Sequence, residues 1–124
     1  MQRNEILSPI VWQAPVLSLL DQRLLPGEEK WVDCVSVSAV IAAIKSMVVR
    51  GAPAIGITAA YGAMIALNEV RHTQEEIGRQ NFAALMNELA DARPTAVNLA
   101  WAVNSVNDLL TEHRWDDFPA ALLA

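Results

Sequence analysis

Val49-Arg50-Gly51-Ala52-Pro53-Ala54-Ile55-Gly56-Ile57-Thr58-Ala59-Ala60-Tyr61-Gly62 decides how the rest of the chain is read. It sets an arginine and a glycine before a helix that starts on proline and continues in small apolar residues. Proline is favoured at the first helical position, where its missing N–H costs nothing. Gly51 permits close approach of backbone to whatever lies outside the helix start. Free N–H groups and the positive end of the helix dipole make such a start a place for an anion, and Arg50 adds a fixed charge. The segment reads as a phosphate-contacting corner at the head of a buried central helix.

Outward from this corner, periodicity divides the chain. Ile10-Val11-Trp12, Val16 to Leu20 and Lys30 to Val35 are short runs rich in strand formers, separated by Ala14-Pro15 and Leu25-Pro26-Gly27. They predict a small antiparallel sheet. From residue 36 the period becomes helical. Ser36 or Ser38 caps a helix with Val40, Ile41, Ile44, Met47 and Val48 on one face, and Gly51 is its expected end. A second helix runs from Pro53 to about Val70, with Gly56, Ala59, Ala60 and Ala63 as a narrow stripe for a close neighbour. Thr73-Gln74-Glu75-Glu76 has capping-box spacing and opens a third, whose core face is Ile77, Phe82, Leu85, Met86 and Leu89. A fourth begins at Pro94 and displays Val97, Trp101, Val106, Leu109 and Leu110. The expected fold class is therefore α+β: a small N-terminal antiparallel sheet followed by a helical bundle. Residues 1–115 form that domain, and 116–124, capped by Asp116 or Asp117, begin a further connecting helix that the sequence leaves without a C-cap.

Composition narrows the function. The chain has 124 residues, 53% of them hydrophobic and 19% charged, which describes a folded domain with its own core. A net charge of −5, with Lys and Arg scattered, gives no basic footprint for nucleic acid. The uncharged run from Gly51 to Asn68 is 18 residues long, but Pro53, Thr58, three glycines and Asn68 dilute it, so a buried helix is expected rather than a membrane span. The single cysteine, Cys34, excludes an internal disulfide and suits a reducing cytoplasm. Cys34 lies in a strand without a nearby cation to lower its pKa and reads as an inert buried thiol. With only two histidines, His72 and His113, both near helix ends, no metal site and no cofactor are expected.

The constellation that could carry chemistry is Arg50 with Arg93, each just ahead of a helix that follows another helix directly. If the two starts face each other, two guanidiniums and two dipole ends converge, and arginine binds phosphate bidentately. Alternatively each arginine caps the helix before it, which the macrodipole also favours, and spacing alone leans towards capping. Neither segment is a nucleotide loop, since G-x-x-x-x-G-K-[ST] and G-x-G-x-x-G are both absent. Asp21 reads as a turn residue, Tyr61 and Trp101 as packing residues. Asn98, Asn104 and Asn107 suit solvent or a polar helix face as well as a substrate.

Three segments carry a family resemblance: Leu20-Asp21-Gln22-Arg23 with Leu25-Pro26; Met47 to Gly56 with Ala59-Ala60-Tyr61-Gly62; and Arg93-Pro94-Thr95-Ala96-Val97-Asn98-Leu99 with Trp101-Ala102. In this order they resemble the N-terminal part of the methylthioribose-1-phosphate isomerase family, itself related to regulatory subunits of the exchange factor for translation initiation factor 2. The resemblance implies aldose–ketose isomerisation of 5-methylthioribose 1-phosphate to 5-methylthioribulose 1-phosphate in methionine salvage. It implies substrate contacts at Arg50, Gly51, Ala52 and Arg93, and a cytoplasmic homodimer. It also implies that the catalytic Cys and Asp sit on a C-terminal Rossmann-like domain absent from these 124 residues, so this chain alone is expected to bind phosphate without turning substrate over. The alternatives are a ribose-1,5-bisphosphate isomerase, which would recognise a second phosphate, and a non-catalytic regulatory subunit, which would use the helices for protein contacts.

Overall fold

A computed structural model describes residues 9–49 and 51–123. Three strands, β1 (Ile10–Gln13), β2 (Val16–Leu20) and β3 (Trp31–Cys34), form an antiparallel sheet in the order β1-β2-β3. Five helices follow: α1 (Val37–Lys45), α2 (Ala52–Val70), α3 (Glu75–Ala90), α4 (Val97–Glu112) and α5 (Phe118–Leu123). The α+β class expected from periodicity is the observed one.

The sheet has one face on the bundle. Leu17 and Leu19 of β2 are fully buried, with Cys34 opposite Leu17 in the register. Ser18, which points the other way, is buried too, and its hydroxyl donates to the Asp33 carboxylate at 2.6 Å across the β2–β3 pair. Trp12 of β1 stacks on Tyr61 of α2, centroids 5.1 Å apart, so the expected packing role of Tyr61 is a tie between sheet and bundle. Between β2 and β3 the chain makes a 3-10 turn over Gln22–Leu24 capped by Asp21. The Asp21 carboxylate accepts from the Arg23 backbone N–H at 3.0 Å and from its guanidinium at 2.9 and 2.8 Å. These bonds hold the carboxyl below its ordinary value, the Arg23 side chain contributing most. Asp21 is thus the turn residue the sequence indicated. The Gln22 N–H donates to the Val48 carbonyl at 2.9 Å, fastening this turn to the segment that leads into α2.

Ser36 caps α1, its Oγ accepting from the Ala39 N–H. The expected end of that helix is corrected. α1 stops at Lys45, and the left-handed residue that follows is Met47 (φ 67°) rather than Gly51. The positive φ of Gly51, 95°, instead serves the N-cap of α2. Thr73 is corrected likewise: its hydroxyl donates back to the Val70 carbonyl at 2.6 Å and closes α2, while Gln74 is the N-cap of α3 without a side-chain bond. A threonine between two helices can satisfy either end, and here the orphan carbonyl wins over the orphan N–H.

α2 is the axis of the bundle. Glycines on it let three neighbouring helices come close. A Cβ at Gly56 would meet the Asn98 carbonyl of α4 at 3.6 Å, whereas one at Gly62 would meet Val40 of α1 at 3.2 Å and Leu89 of α3 at 3.4 Å. On α3, Phe82, Met86 and Leu89 are fully buried as expected, but Ile77 is 48% exposed and Gly78 takes the inner position beneath Trp115. α4 is rotated from its expected phase. Leu99, Ala102, Val103, Val106 and Leu110 face the core, while Val97 (78%) and Trp101 (70%) are exposed. The helix also begins three residues later than Pro94, leaving Pro94 and Thr95 in a turn. Arg79 of α3 seals the far end of α4 by donating to the Leu110 and His113 carbonyls, each at 2.6 Å. His113 itself lies against the Leu109 carbonyl, Nδ1 to O 2.8 Å, the helix-end role its position suggested. α5 packs through fully buried Phe118, edge-on to Phe82 at 5.1 Å. No helix of the described residues is long and apolar enough to cross a membrane.

Candidate anion-binding site

The heads of α2 and α4 meet at one depression of about 240 Å³, lined by Gly51, Ile55, Arg93, Ala96, Val97 and Asn98. Gly51 is the N-cap of α2 and has no side chain to satisfy the first-turn N–H groups. Ala52 is the first residue of the helix, and Pro53 follows with no N–H to offer. On the opposite wall α4 starts after Ala96, again without a side-chain cap. The Ala96 N–H is spent on the Arg93 carbonyl at 2.9 Å, and the Ala100 N–H on Ala96 at 3.1 Å, which leaves the first-turn donors at Val97 and Asn98 without an intrahelical acceptor. Two helix starts therefore present the positive ends of their dipoles to one concavity.

Arg93 supplies the charge. Its guanidinium makes no hydrogen bond or ion pair among the described residues, and the last carbonyls of α3 are approached instead by the backbone N–H groups of Asp91 and Ala92. Among the described residues Arg93 thus makes no capping hydrogen bond to the helix before it. A half-buried arginine with no partner among the described residues, between two uncapped helix starts, can take an anion bidentately, with backbone N–H groups completing its coordination. Of the four residues singled out in the sequence, the structure brings Gly51 and Arg93 to one depression and puts Ala52 at the start of α2. Arg50 lies outside the described residues. Asn98, left open between solvent and substrate, lines the depression. Its side chain has no partner among the described residues, a property that spacing could not reveal.

Other reactive groups are placed away from this chemistry. Cys34 is fully buried in β3, and burial with the neighbouring Asp33 charge pushes its thiol up to about 11. Among the described residues no three His, Cys, Asp or Glu side chains gather in a way that could hold a metal ion.

A three-stranded sheet leading into helices in this order is an architecture seen before. Residues 48–123 match the model of the initiation factor 2 subunit family, and the chain belongs to that family. Among curated relatives it is 48% identical over 119 residues to methylthioribose-1-phosphate isomerase of Pseudomonas putida, covering 96% of this chain and 33% of that protein. It is 44% identical to the enzyme of the same name from Alkalilimnicola ehrlichii, over all of this chain and 34% of that one. Among solved structures it superposes on 5-methylthioribose 1-phosphate isomerase of Pyrococcus horikoshii with a TM-score of 0.88 and 33% identity, over 95% of this chain and 34% of that one. It superposes on the delta subunit of translation initiation factor eIF-2B from A. fulgidus with a TM-score of 0.83 and 30% identity, over 95% and 35%. The chain spans about a third of the length of the relatives it matches.

Proposed function

We propose that this chain is the phosphate-holding part of a methylthioribose-1-phosphate isomerase. The observation that carries the reading is the meeting of Gly51 and Arg93 in one depression between two uncapped helix starts. Relatives of that name, similar across almost the whole chain, support it. In this reading Arg50, Gly51, Ala52 and Arg93 hold the sugar phosphate: the arginines by charge-assisted pairs, the glycine by letting the helix-start N–H groups approach the oxygens. The reaction is conversion of an aldose 1-phosphate to the ketose in methionine salvage, in a cytoplasmic homodimer and without a cofactor.

The groups that move the hydrogen are assigned to the remainder of the longer protein. General acid–base work needs a donor and an acceptor at the reacting carbons, and the burial and raised pKa of Cys34 support leaving it out. The test is direct. Purified residues 1–124 should bind phosphate and give no isomerisation, and joining them to the following two-thirds of a relative should restore turnover. Turnover by the 124 residues above a protein-free blank overturns this division of labour. A ribose-1,5-bisphosphate isomerase, which would recognise a second phosphate, is the rival enzyme. The second reading, a non-catalytic regulatory subunit, has in its favour the likeness to the eIF-2B delta subunit and the exposed Trp101 on α4. A longer protein that folds but gives no isomerisation would select it; unchanged isomerase kinetics in the Arg93→Ala variant of an active longer protein would instead support a capping role for that arginine.

A further inference from the structure

Asp21 is a buried carboxylate that does not line the anion depression, and its side-chain bonds among the described residues all go to Arg23, two positions along the chain. Taking a carboxylate out of water is costly, and this one links no distant elements. What it secures is the shape of its own turn. The Asp21 N–H donates to the Lys30 carbonyl at 2.8 Å, which seats that turn on the sheet. Among the described residues one backbone bond leads from the turn to the helical side, from the Gln22 N–H to the Val48 carbonyl at 2.9 Å. We propose that Asp21 is a positioning residue for the anion corner: it fixes the turn that aims the Gln22 N–H at Val48, and Val48 sets where the head of α2 stands relative to Arg93.

This rests on the phosphate reading above and adds what holds that site in place. Val48 is gripped on both sides. α1 ends in a Schellman arrangement, with the Met47 N–H on the Ile44 carbonyl at 3.3 Å and the Val48 N–H on the Ala43 carbonyl at 3.0 Å. The left-handed position of that arrangement ordinarily goes to glycine, yet here it holds Met47 (φ 67°). A side chain in that region is strained, and the conformation persists only where the surroundings over-determine it. The bond from the turn to the Val48 carbonyl is one such constraint, and burial of the Val48 and Val49 side chains is another. From Val48 to Gly51 is three residues, at most about 10 Å of chain, which leaves little slack to absorb a shift. Groups that form a binding site must be held to within about 0.5 Å. A loosened turn is therefore felt at Gly51 as lost phosphate affinity, although no group that touches phosphate has been removed.

The test uses the 124-residue chain labelled with nitrogen-15, titrated with inorganic phosphate and read at the Gly51 amide, with melting followed by circular dichroism. Gln22 is the first residue of the 3-10 turn and follows an extended Asp21 (φ −72°, ψ 101°), so proline fits there and deletes the N–H. Gln22→Pro is compared with Gln22→Ala, which loses the same side chain and keeps the N–H. Asp21→Ala, which uncaps the turn, is compared with Asp21→Asn, which removes the same charge and caps as well as aspartate. Gln22→Pro and Asp21→Ala should each bind phosphate roughly 2- to 10-fold more weakly than their reference variants, the worth of one hydrogen bond. Arg79→Ala, destabilising at the far end of α4, should bind as the wild type does. Equal affinity within either pair overturns the proposal. So does an equal weakening in Arg79→Ala, which would make the effect one of general stability. If Gln22→Pro does not fold, the Asp21 pair decides. Failure of inorganic phosphate to shift Gly51 in the wild type refutes the phosphate reading itself, and this inference with it.

Discussion

Two arginines at similar depth in the bundle should fail in opposite ways when removed. The guanidinium of Arg93 has no hydrogen-bonding partner among the described residues, so Arg93→Ala removes no internal bond. Its effect on stability should stay within about 0.5 kcal/mol, the range of substitutions away from special features. Its effect on phosphate binding should be the loss of a charge-assisted pair, about 1.5–3 kcal/mol, or roughly 10- to 150-fold in affinity. Arg79 is the converse. It donates to two carbonyls at the end of α4, both at 2.6 Å, and adds a weaker, largely exposed pair with Glu75 at 3.3 Å. Without it those carbonyls become orphans. The cost should be about 1–3 kcal/mol, which for a chain of this length lowers Tm by roughly 3–12 °C. Arg79 does not line the depression, so phosphate affinity should not change. Thermal unfolding by circular dichroism and phosphate titration by NMR, run on both variants, read the two axes separately. If Arg93→Ala destabilises as much as Arg79→Ala, Arg93 is a structural cap and the anion site loses its charge. If phosphate affinity is the same in wild type and Arg93→Ala, the reasoning fails on the other axis.

Further expectations concern the scaffold. Gly78→Ala should destabilise despite its better helix propensity, because the new Cβ would lie 2.6 Å from the Trp115 ring and 2.9 Å from the Thr73 hydroxyl; Gly56→Ala, with nothing nearer than 3.6 Å, should gain up to about 1 kcal/mol, and opposite signs in Tm check the pair. The Asp21 carboxyl is held below its ordinary value of 3.8, so its contribution is complete above that pH and is lost as pH falls through the lowered native value. Asp21→Asn should therefore flatten the acid limb of a stability–pH curve below about pH 3.8 and leave the curve's shape above it unaltered. Cys34, buried with its thiol near 11, should resist alkylation at pH 8 in the native chain and react fully in denaturant, as mass spectrometry would report.

Much of the fold was written locally. Ser36 three residues before Ala39, the strand formers on either side of Pro15, and Pro53 after a glycine each act within a few residues, and each appears where expected. The misreadings share a cause: one residue could serve two neighbours. Thr73 can cap the helix after it or close the helix before it. Gly51 can end one helix or begin the next, and Met47, which nothing in the sequence marks, took the left-handed position instead. α4 carries apolar residues on more than one face, so its phase depended on which face α2 and α3 would cover. Trp101, the largest of them, went outside. At the site, the pairing of Gly51 with Arg93 was visible as two helix starts with nearby cations, but whether Arg93 would turn back onto its own helix was not. That choice belongs to side-chain geometry. Gly78 was silent because its reason, the Trp115 ring lying over it, arises from a residue 37 positions away.

The bond from the Gln22 N–H to the Val48 carbonyl has a consequence for what counts as the smallest working piece. The family match begins at residue 48, on the far side of that bond. A protein engineer who cut there would keep α2 to α5 and their shared core. The cut would discard α1 and the strut that runs from the sheet through the 3-10 turn to the chain just ahead of Gly51. The helices would still have reason to associate, yet the mouth of the depression would be hung from a loose end. The stretch the family model matches and the mechanical module thus have different borders, and the anion corner belongs to the larger one.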